Sequence, residues 1–330
     1  MQCERYQTRF ERVVKSTVQI SNSYWNHIRF KIEAGMRGAW ESALAFSAYR
    51  RTFKNYRSVI FHIKTRQYPL LGVVRKTGRE ILIPSHSFAF QIARGLLDAD
   101  YHSESGLVSI NLNGKPYFFS GALGNGDLVG VFAHREYSSL EVSGQNVIDI
   151  GANIGDSAIY FAAMGAKHVY ALEPFPSSYE YAKKNVEIND LREKITIINA
   201  GLSDADGDIT IDPAFENTPM HQMTSSNSGI RVPVFSLKRL MANYGITDAV
   251  LKMDCEGFEY PSILSSSPEL LQRFRRIQIE YHYGTDKLLD KLRKSGFTVS
   301  FTRRRSSFNK YVSRPHMSVG YIFATRDTSN

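Results

Sequence analysis

The sequence predicts an α/β protein with a doubly wound, mostly parallel sheet. An apolar run at residues 147–150 is followed directly by a glycine-spaced turn at 151–155 and then by a helix-like segment. Short apolar runs then alternate with helical segments as far as residue 325. This alternation, with a glycine turn after the first strand, is typical of sheets that bind a nucleotide-like ligand at the carboxyl ends of their strands.

Residues 1–66 are predicted to form a basic helical leader. Residues 1–80 contain 16 Lys and Arg and five Glu, whereas the whole chain has a formal net charge of +9. Apolar residues at spacings of three and four predict two or three amphipathic helices over residues 4–62. Such a leader suits an anionic membrane surface, a nucleic acid or an acidic partner. The alternative is a helical lid that packs on the rest of the protein.

A small β-rich segment is predicted at residues 67–130. Asn113-Gly114 lies between two apolar alternating runs, at 107–112 and 115–119, which is a strong hairpin signal. The third segment, residues 131–330, contains the sheet. Its seven strands are predicted near residues 147–150, 168–172, 195–199, 249–254, 276–282, 297–302 and 318–325.

The glycine turn is the first candidate cofactor site. Its spacing is Gly-x-Asn-x-Gly, from Gly151 through Asn153 to Gly155, and Asp149 stands just before it. An acid there would repel a pyrophosphate but suits S-adenosylmethionine, which carries an ammonium and a sulfonium group. We expect Asp149 and Gly151 near the methionine end of this ligand. A purely structural strand–helix turn is the alternative.

The next two strand ends supply further candidates. Glu173 lies 22 positions after Gly151, a spacing at which an acid accepts ribose hydroxyls in doubly wound sheets. Ser203 and Asp204 are placed at the end of the third strand, near the adenine. Glu173 could instead cap the following helix, and Asp204 could serve only a turn. Because parallel strands end at one edge, the candidates share one rim: Gly151, Asn153, Glu173, Asp204, Asp254 and Glu280.

Two motifs after the fourth and fifth strands carry a family resemblance. They read Asp254-Cys255-Glu256-Gly257-Phe258-Glu259 and Ile279-Glu280-Tyr281-His282. Together with the glycine turn, the Ala-Leu-Glu-Pro run at 171–174 and the Leu-Ser-Asp run at 202–204, they make residues 130–326 resemble the FkbM family of S-adenosylmethionine-dependent methyltransferases. The resemblance implies a class I methyltransferase fold, Rossmann-like with seven strands and the last one antiparallel. It also implies S-adenosylmethionine as methyl donor and, most often, methylation of a hydroxyl on a sugar or secondary metabolite.

The candidate catalytic residues are Asp254, Glu256 and His282. Methyl transfer to a hydroxyl requires the acceptor oxygen to be positioned and its proton removed. Asp254 is the first choice as the acceptor-orienting base, and His282 could share that role. Glu256 could orient either group or cap a helix. Paired carboxylates could also hold Mg²⁺, but we expect no metal. Cys3 and Cys255 predict neither a disulfide framework nor a zinc site.

Composition limits the remaining classes. No run approaches the roughly 18 apolar residues of a membrane span, and no signal peptide is recognised, which predicts a cytoplasmic protein, possibly peripheral to a membrane. A small-molecule, glycan or glycolipid hydroxyl is the expected acceptor. The rival functions are an RNA methyltransferase, a dehydrogenase that uses NAD, and a non-catalytic protein that binds S-adenosylmethionine or docks a partner. An Asn-Pro-Pro-Tyr-like element would favour methylation of a base nitrogen, and the sequence has none. Nucleic acid is therefore the less favoured partner.

Overall fold

The computed structural model describes residues 44–122, 127–211, 229–303, 305–308 and 316–326. The chain divides into two compact units, Met1–Glu80 and Ile81–Asn330. The predicted leader lies outside the described residues as far as residue 43. Within the described ranges, no helix combines the length and the apolar character that crossing a membrane requires.

The described part of the first unit is mainly helical. It contains α1 (residues 44–52), α2 (Tyr56–Thr65) and the strand β1 (Leu70–Val73). The Asn55 side chain connects the helical part to the strand, since it donates to the carbonyl of Leu71 and accepts from the amide of Val73, both at 2.8 Å.

The second unit opens with a β-rich segment. Its elements are β2 (Glu80–Ile83), α3 (His86–Ala93), β3 (Ala99–His102), β4 (Leu107–Leu112) and β5 (Lys115–Phe119). The predicted hairpin is confirmed: β4 and β5 pair antiparallel across Asn113 and Gly114, whose φ values are 54° and 83°. Positive φ at both turn residues matches the twist of the flanking strands. A π-helix (Val129–His134) and a short 3₁₀ helix (Ser138–Leu140) follow.

Strands and helices then alternate along the chain. In order they are β6 (Asn146–Ile150), α4 (Asp156–Ala163), β7 (His168–Leu172), α5 (Pro176–Ile188), β8 (Ile195–Ile198), β9 (Gly201–Leu202), β10 (Gly207–Ile211), β11 (Ile230–Phe235), α6 (Leu237–Asn243), β12 (Ala249–Met253), α7 (Glu259–Ser265), α8 (Pro268–Leu271), β13 (Phe274–Tyr281), α9 (Asp286–Lys294), β14 (Thr298–Phe301), β15 (Arg305–Phe308) and β16 (His316–Thr325).

Seven of these strands form the main sheet in the order β14-β16-β13-β12-β6-β7-β8, with β15 paired to β16. The strands β8, β7, β6, β12 and β13 are parallel, whereas β16 runs antiparallel to both of its neighbours, β13 and β14. This order, reversing between β6 and β12, is the doubly wound Rossmann-like arrangement that the sequence predicts, with β16 antiparallel as expected of the last strand. The predicted fold class is therefore confirmed.

The third strand ends earlier than predicted. β8 stops at Ile198, and the chain leaves the main sheet there. The next two residues with strand geometry, Gly201 and Leu202, pair parallel with β11 in a separate three-stranded sheet. The prediction of one strand reaching Asp204 is wrong, because tertiary pairing with β11 breaks an apolar run that looks continuous in sequence.

Local sequence explains where the flanking helices begin. α5 has Pro176 at its first turn, where a missing N–H costs nothing. Ser236 caps α6 by accepting from the amide of Arg239 at 3.2 Å. α9 has an acid in its first turn and bases in its last turn, and both interact favourably with the helix dipole. Leu288 and Leu292 of this helix pack in the hydrophobic core of the sheet.

Candidate active site

The register of the parallel strands brings five residues to one level. Ile150 pairs with both Leu172 and Met253, Leu172 pairs with Ile198, and Met253 pairs with Ile279. The residues that follow these positions, at the carboxyl edge of the sheet, are Gly151, Glu173, Asn199, Asp254 and Glu280. Four of them belong to the predicted rim. The third strand contributes Asn199 rather than Asp204.

Gly151 directly follows β6 and lies against the backbone of Asp254, which directly follows β12. Its φ is +75°, and a Cβ built on it would collide with the backbone oxygen of Asp254. Only glycine fits both constraints. Gly155, with φ +83°, precedes α4 and packs against the backbone of Ala182. The turn therefore needs glycine at both positions because other parts of the chain pack closely against it.

A cavity of about 350 Å³ opens beside this turn. Gly151 and Asn153 line it together with residues of the π-helix. Five acids and a single lysine, Lys252, also line the wall. The acids are Asp127, Glu136, Asp156, Asp254 and Glu280. The cavity is thus strongly acidic.

Lys252 is the residue that sequence reasoning missed most clearly. It lies in β12, is 2% exposed, and its Nζ is 3.0 Å from Oδ1 of Asp149. It also donates to the carbonyl of Gly151 at 2.7 Å and lies 5.4 Å from the ring centroid of Tyr137. Burial opposes its charge, but the carboxylates of Asp149 and Asp254 raise the pKa of Lys252 above its ordinary value. A lysine inside the apolar run Ala-Val-Leu-Lys-Met was the available signal.

Asp149 binds groups of the protein itself. It is fully buried, pairs with Lys252 and accepts from Ser157 Oγ at 2.6 Å. It is not among the residues of the cavity wall. The structure therefore places it behind the turn, where it holds Lys252 and the start of α4.

Glu173 also faces protein groups. Its two carboxylate oxygens accept from the backbone amides of Asn153 at 2.8 Å and Phe175 at 2.9 Å. Burial raises its pKa to about 7. Asn153 has a left-handed backbone with φ 47°, and its side chain donates to Asp127 at 2.8 Å. Glu173 thus fixes the turn from behind while Asn153 reaches the cavity.

Ser203 and Asp204 lie apart from the cavity wall. They follow β9, where Ser203 donates through its backbone to Phe235 and through Oγ to Asp204 at 3.0 Å. Asp204 is exposed. The early end of β8 is the reason that these two residues are displaced from the level of the strand ends.

Asp156 supplies an acceptor that the protein does not use. It is 2% exposed, and its Oδ2 makes no hydrogen bond with any described residue. Burial, and then the charge of Asp127, raise the pKa of Asp156 to about 8. A buried carboxylate of this kind fits a cationic ligand group such as the ammonium of S-adenosylmethionine, because leaving it unpaired is costly.

The three predicted catalytic residues meet at the ends of β12 and β13. Nε2 of His282 lies 3.4 Å from Oε2 of Glu256 and 3.9 Å from Oδ1 of Asp254. Sequence reasoning missed the fourth member, Glu259, which is fully buried and accepts from Nδ1 of His282 at 3.0 Å and from its amide at 3.1 Å. Of the four, only Asp254 lines the cavity.

The charges of this group are interdependent. Burial opposes the charged imidazole, but Glu259, Glu256 and Asp254 together raise the pKa of His282 to about 10. Burial raises the pKa of Glu256 to about 7, and burial followed by the charge of Asp254 raises that of Glu280 to about 9. The site therefore concentrates more acid than its histidine and Lys252 neutralise.

Comparison with known families gives a domain match. The family described as "Methyltransferase FkbM domain" matches residues 149–299. Among curated proteins, the ribosomal protein L11 methyltransferase of Carboxydothermus hydrogenoformans is 41% identical over 59 residues, 18% of this chain and 19% of that protein. The probable histone-arginine methyltransferase 1.4 of Arabidopsis thaliana is 42% identical over 65 residues, 19% of this chain and 12% of that protein. The chain thus aligns with about a fifth or less of these relatives.

Solved structures resemble the chain at low identity. A methyltransferase FkbM from Methylobacillus flagellatus matches with 14% identity and a TM-score of 0.37, covering 55% of this chain and 43% of that one. A precorrin-6y C5,15-methyltransferase from Geobacter metallireducens matches with 12% identity and a TM-score of 0.35, covering 63% and 95%. TYW2 of M. jannaschii, solved in complex with AdoMet, matches with 15% identity and a TM-score of 0.34, covering 67% and 87%.

Proposed function

We propose, from the match of residues 149–299 to the FkbM methyltransferase domain, that the protein methylates a hydroxyl group of a sugar, glycan or secondary metabolite. The cofactor is S-adenosylmethionine. The observation that carries the proposal is the acidic cavity in which the glycine turn at Gly151 faces Asp254 and Glu280. Such a cavity has room for the reactive end of a cofactor and a hydroxyl beside it.

The cofactor's reactive end fits the side of the cavity formed by the turn. Gly151 lines the cavity there, and Asp156 offers a carboxylate oxygen, with no hydrogen bond from the described residues, to the ammonium group. Glu173, held behind Asn153, is proposed to set the position of the ribose. Contact of Ser203 or Asp204 with the adenine stays a prediction. When bound, the cofactor supplies a sulfonium methyl group, whose transfer to an acceptor oxygen leaves S-adenosylhomocysteine and releases the hydroxyl proton.

Asp254 is proposed to orient the acceptor hydroxyl and to take its proton. It is the one member of the predicted catalytic trio in the cavity wall, and Gly151 of the cofactor turn is adjacent to its backbone. A positioned base of this kind contributes typically about 10²–10⁴-fold to the rate. Glu256 and His282 are proposed to act through Asp254, as positioning residues.

The charge of the cavity bears on the acceptor class. Its wall has five acidic side chains and one lysine, a composition that favours a neutral or cationic acceptor over the RNA considered as a rival. A polyhydroxylated sugar or an amino sugar meets that condition, since its hydroxyls donate to carboxylates.

Labelled S-adenosylmethionine with fractionated cell extract tests the proposal. We expect label in glycan, glycolipid or small-molecule fractions, strongly reduced by Asp254→Asn and unchanged by Asp290→Asn, which removes an exposed acid of α9. Label confined to RNA or protein, or full turnover by Asp254→Asn, would contradict it.

Calorimetry separately tests the cofactor. S-adenosylmethionine should bind, Glu173→Ala should weaken it, and NAD should give no heat. Binding without label in any fraction would favour a non-catalytic protein.

A further inference from the structure

We propose that Asp254, Glu256 and His282 form a binding site for one divalent metal ion, of a class that accepts mixed nitrogen and oxygen ligands, such as Mn²⁺. From the sequence alone we expect no metal here, although paired carboxylates could hold Mg²⁺. The structure brings one ligand atom of each within 4.8 Å of the others.

The histidine is held as metal-binding histidines usually are. Both its Nδ1 and its backbone amide bond to Oε1 of Glu259, while Oε2 of Glu259 accepts from the amide of Gly257 at 2.7 Å. A carboxylate that fixes one ring nitrogen orients the other and selects its tautomer. Nε2 is thereby aimed at the two acids, and at 2% exposure it has little access to water.

The spacing fits one shared ion better than direct ion pairs. Nε2 is 3.4 Å from Glu256 and 3.9 Å from Asp254, whereas charge-assisted hydrogen bonds are about 2.7–2.9 Å long. Metal–ligand bonds of about 2.0–2.2 Å put adjacent ligand atoms about 3 Å apart and opposite ones about 4.2 Å apart. Shifts of up to about an ångström would close the three atoms around an ion.

Charge balance gives a second, independent argument. Asp254, Glu256 and Glu280 converge on His282, and Lys252 is already paired with Asp149 at 3.0 Å. Carboxylates that lie this close repel one another, and a divalent ion bound between them would offset that repulsion. Carboxylates suit Mn²⁺ and Mg²⁺, and the imidazole favours Mn²⁺ over Mg²⁺.

The site gives the acceptor a second point of attachment. This role rests on the proposed function: an ion beside Asp254 would take the acceptor hydroxyl oxygen as a further ligand and hold it near the cofactor turn. It would also make the hydroxyl more acidic. The ion itself can bind without any acceptor, so its test does not depend on turnover.

Titration of the full-length protein with MnCl₂ alone, followed by the electron paramagnetic resonance signal of free Mn²⁺, tests the site. We expect saturation at one ion per chain, with affinity reduced about 100-fold or more in Asp254→Asn and in Glu256→Gln. Glu259→Gln keeps all three ligands but loosens the histidine, and should cost about 10–100-fold. The control is Glu136→Gln, which removes a cavity acid outside the trio and should bind nearly as wild type.

No bound ion at millimolar Mn²⁺, or equal affinity in wild type, Asp254→Asn and Glu256→Gln, would overturn the site; thermal unfolding of each variant confirms that it is folded. The outcome is distinguishable from failure of the proposed function. A protein that binds Mn²⁺ through the trio but labels no hydroxyl acceptor keeps the site and loses the function. If the protein binds no Mn²⁺ and methyl transfer persists in EDTA, the proposed function is kept and the metal site is refuted.

Discussion

At the scale of single residues, Lys252 and Asp149 form a buried pair on which the turn depends. Lys252→Met leaves Asp149 buried and unpaired, so the free energy of unfolding should fall by about 3–5 kcal/mol. Urea unfolding measures the change. The double variant Asp149→Asn/Lys252→Met removes both charges and should recover much of the loss. Equal destabilisation by the single and double variants would contradict this account.

The glycine turn permits a matched comparison between two glycines. Gly151→Ala combines a positive φ with a collision against the backbone of Asp254, whereas Gly114→Ala has a similar φ of +83° with no neighbour within 4 Å. The φ penalty alone is about 1–3 kcal/mol. We expect Gly151→Ala to lose more stability than Gly114→Ala in thermal unfolding, and to lose cofactor affinity in calorimetry. Similar losses in both would show that the close approach is unimportant.

Glu173 makes stability depend on pH. Its pKa is raised by burial from the ordinary 4.5 to about 7, so the unfolded chain loses the proton first as pH rises. The contribution of protonated Glu173 to the free energy of unfolding is complete below pH about 4.5. It is lost by pH about 7 and amounts to about 3 kcal/mol. Glu173→Gln lacks this slope. Urea unfolding at about pH 5 and about pH 8 should show the advantage of wild type over the variant shrinking by about 2–3 kcal/mol; a constant difference would refute it.

At the scale of elements, two asparagines of the α5 region take the place of a strand beside β5. Asn185 accepts from the amide of Ser120 at 2.7 Å and donates to its carbonyl at 3.1 Å, and Asn189 does the same for Phe118 at 2.8 and 2.7 Å. Their side-chain amides thus satisfy backbone groups that would otherwise be unpaired.

Hydrogen exchange tests this attachment. Asn185→Ala leaves the Ser120 amide and carbonyl without the side chain that they bond to, and this should lower the free energy of unfolding by about 1–3 kcal/mol. Protection of the amides at 118–120 should fall, while that of β12 is retained. Asn243→Ala, at an exposed position in α6, is the control. Unchanged protection in Asn185→Ala would show that other contacts hold β5.

The elements also show what sequence can and cannot predict. Apolar runs located all seven main strands within a few residues, since a strand buried on both faces has few polar residues. The strands in turn predicted that the acids at 173, 254 and 280 lie at one edge of the sheet, because parallel strands end at the same edge. Lys252, Asp156 and Glu259 were missed because their roles depend on partners distant in sequence. Asp204 was misplaced because pairing of β9 with β11 is a tertiary event.

At the scale of the whole molecule, charge separates the amino-terminal 80 residues from the rest. Arg50, Arg51 and Arg57 are exposed on the described part of this region. The proposal of contact with an anionic membrane predicts that the full-length protein pellets with anionic vesicles and not with neutral ones. Each base near such a surface contributes about 1 kcal/mol.

Salt distinguishes this contact from cofactor binding. Vesicle association should weaken steeply as salt rises through physiological strength, while affinity for S-adenosylmethionine hardly changes. Replacing Arg50, Arg51 and Arg57 by Gln should reduce pelleting and leave cofactor binding intact. Association that is insensitive to salt and to these replacements would instead indicate an apolar interaction.

The position of β16 governs when the protein can finish folding during its synthesis. This strand, His316–Thr325, lies between β13 and β14 and is the last of the sheet to be translated. Until it emerges from the ribosome, β13 and β14 each present an open hydrogen-bonding edge, and such edges invite pairing between chains. The earlier strands can assemble first, but the half of the sheet that includes Glu280 closes only when residues 316–325 are available. A chain interrupted before residue 316 is therefore a prime substrate for chaperones and proteases rather than a shorter enzyme.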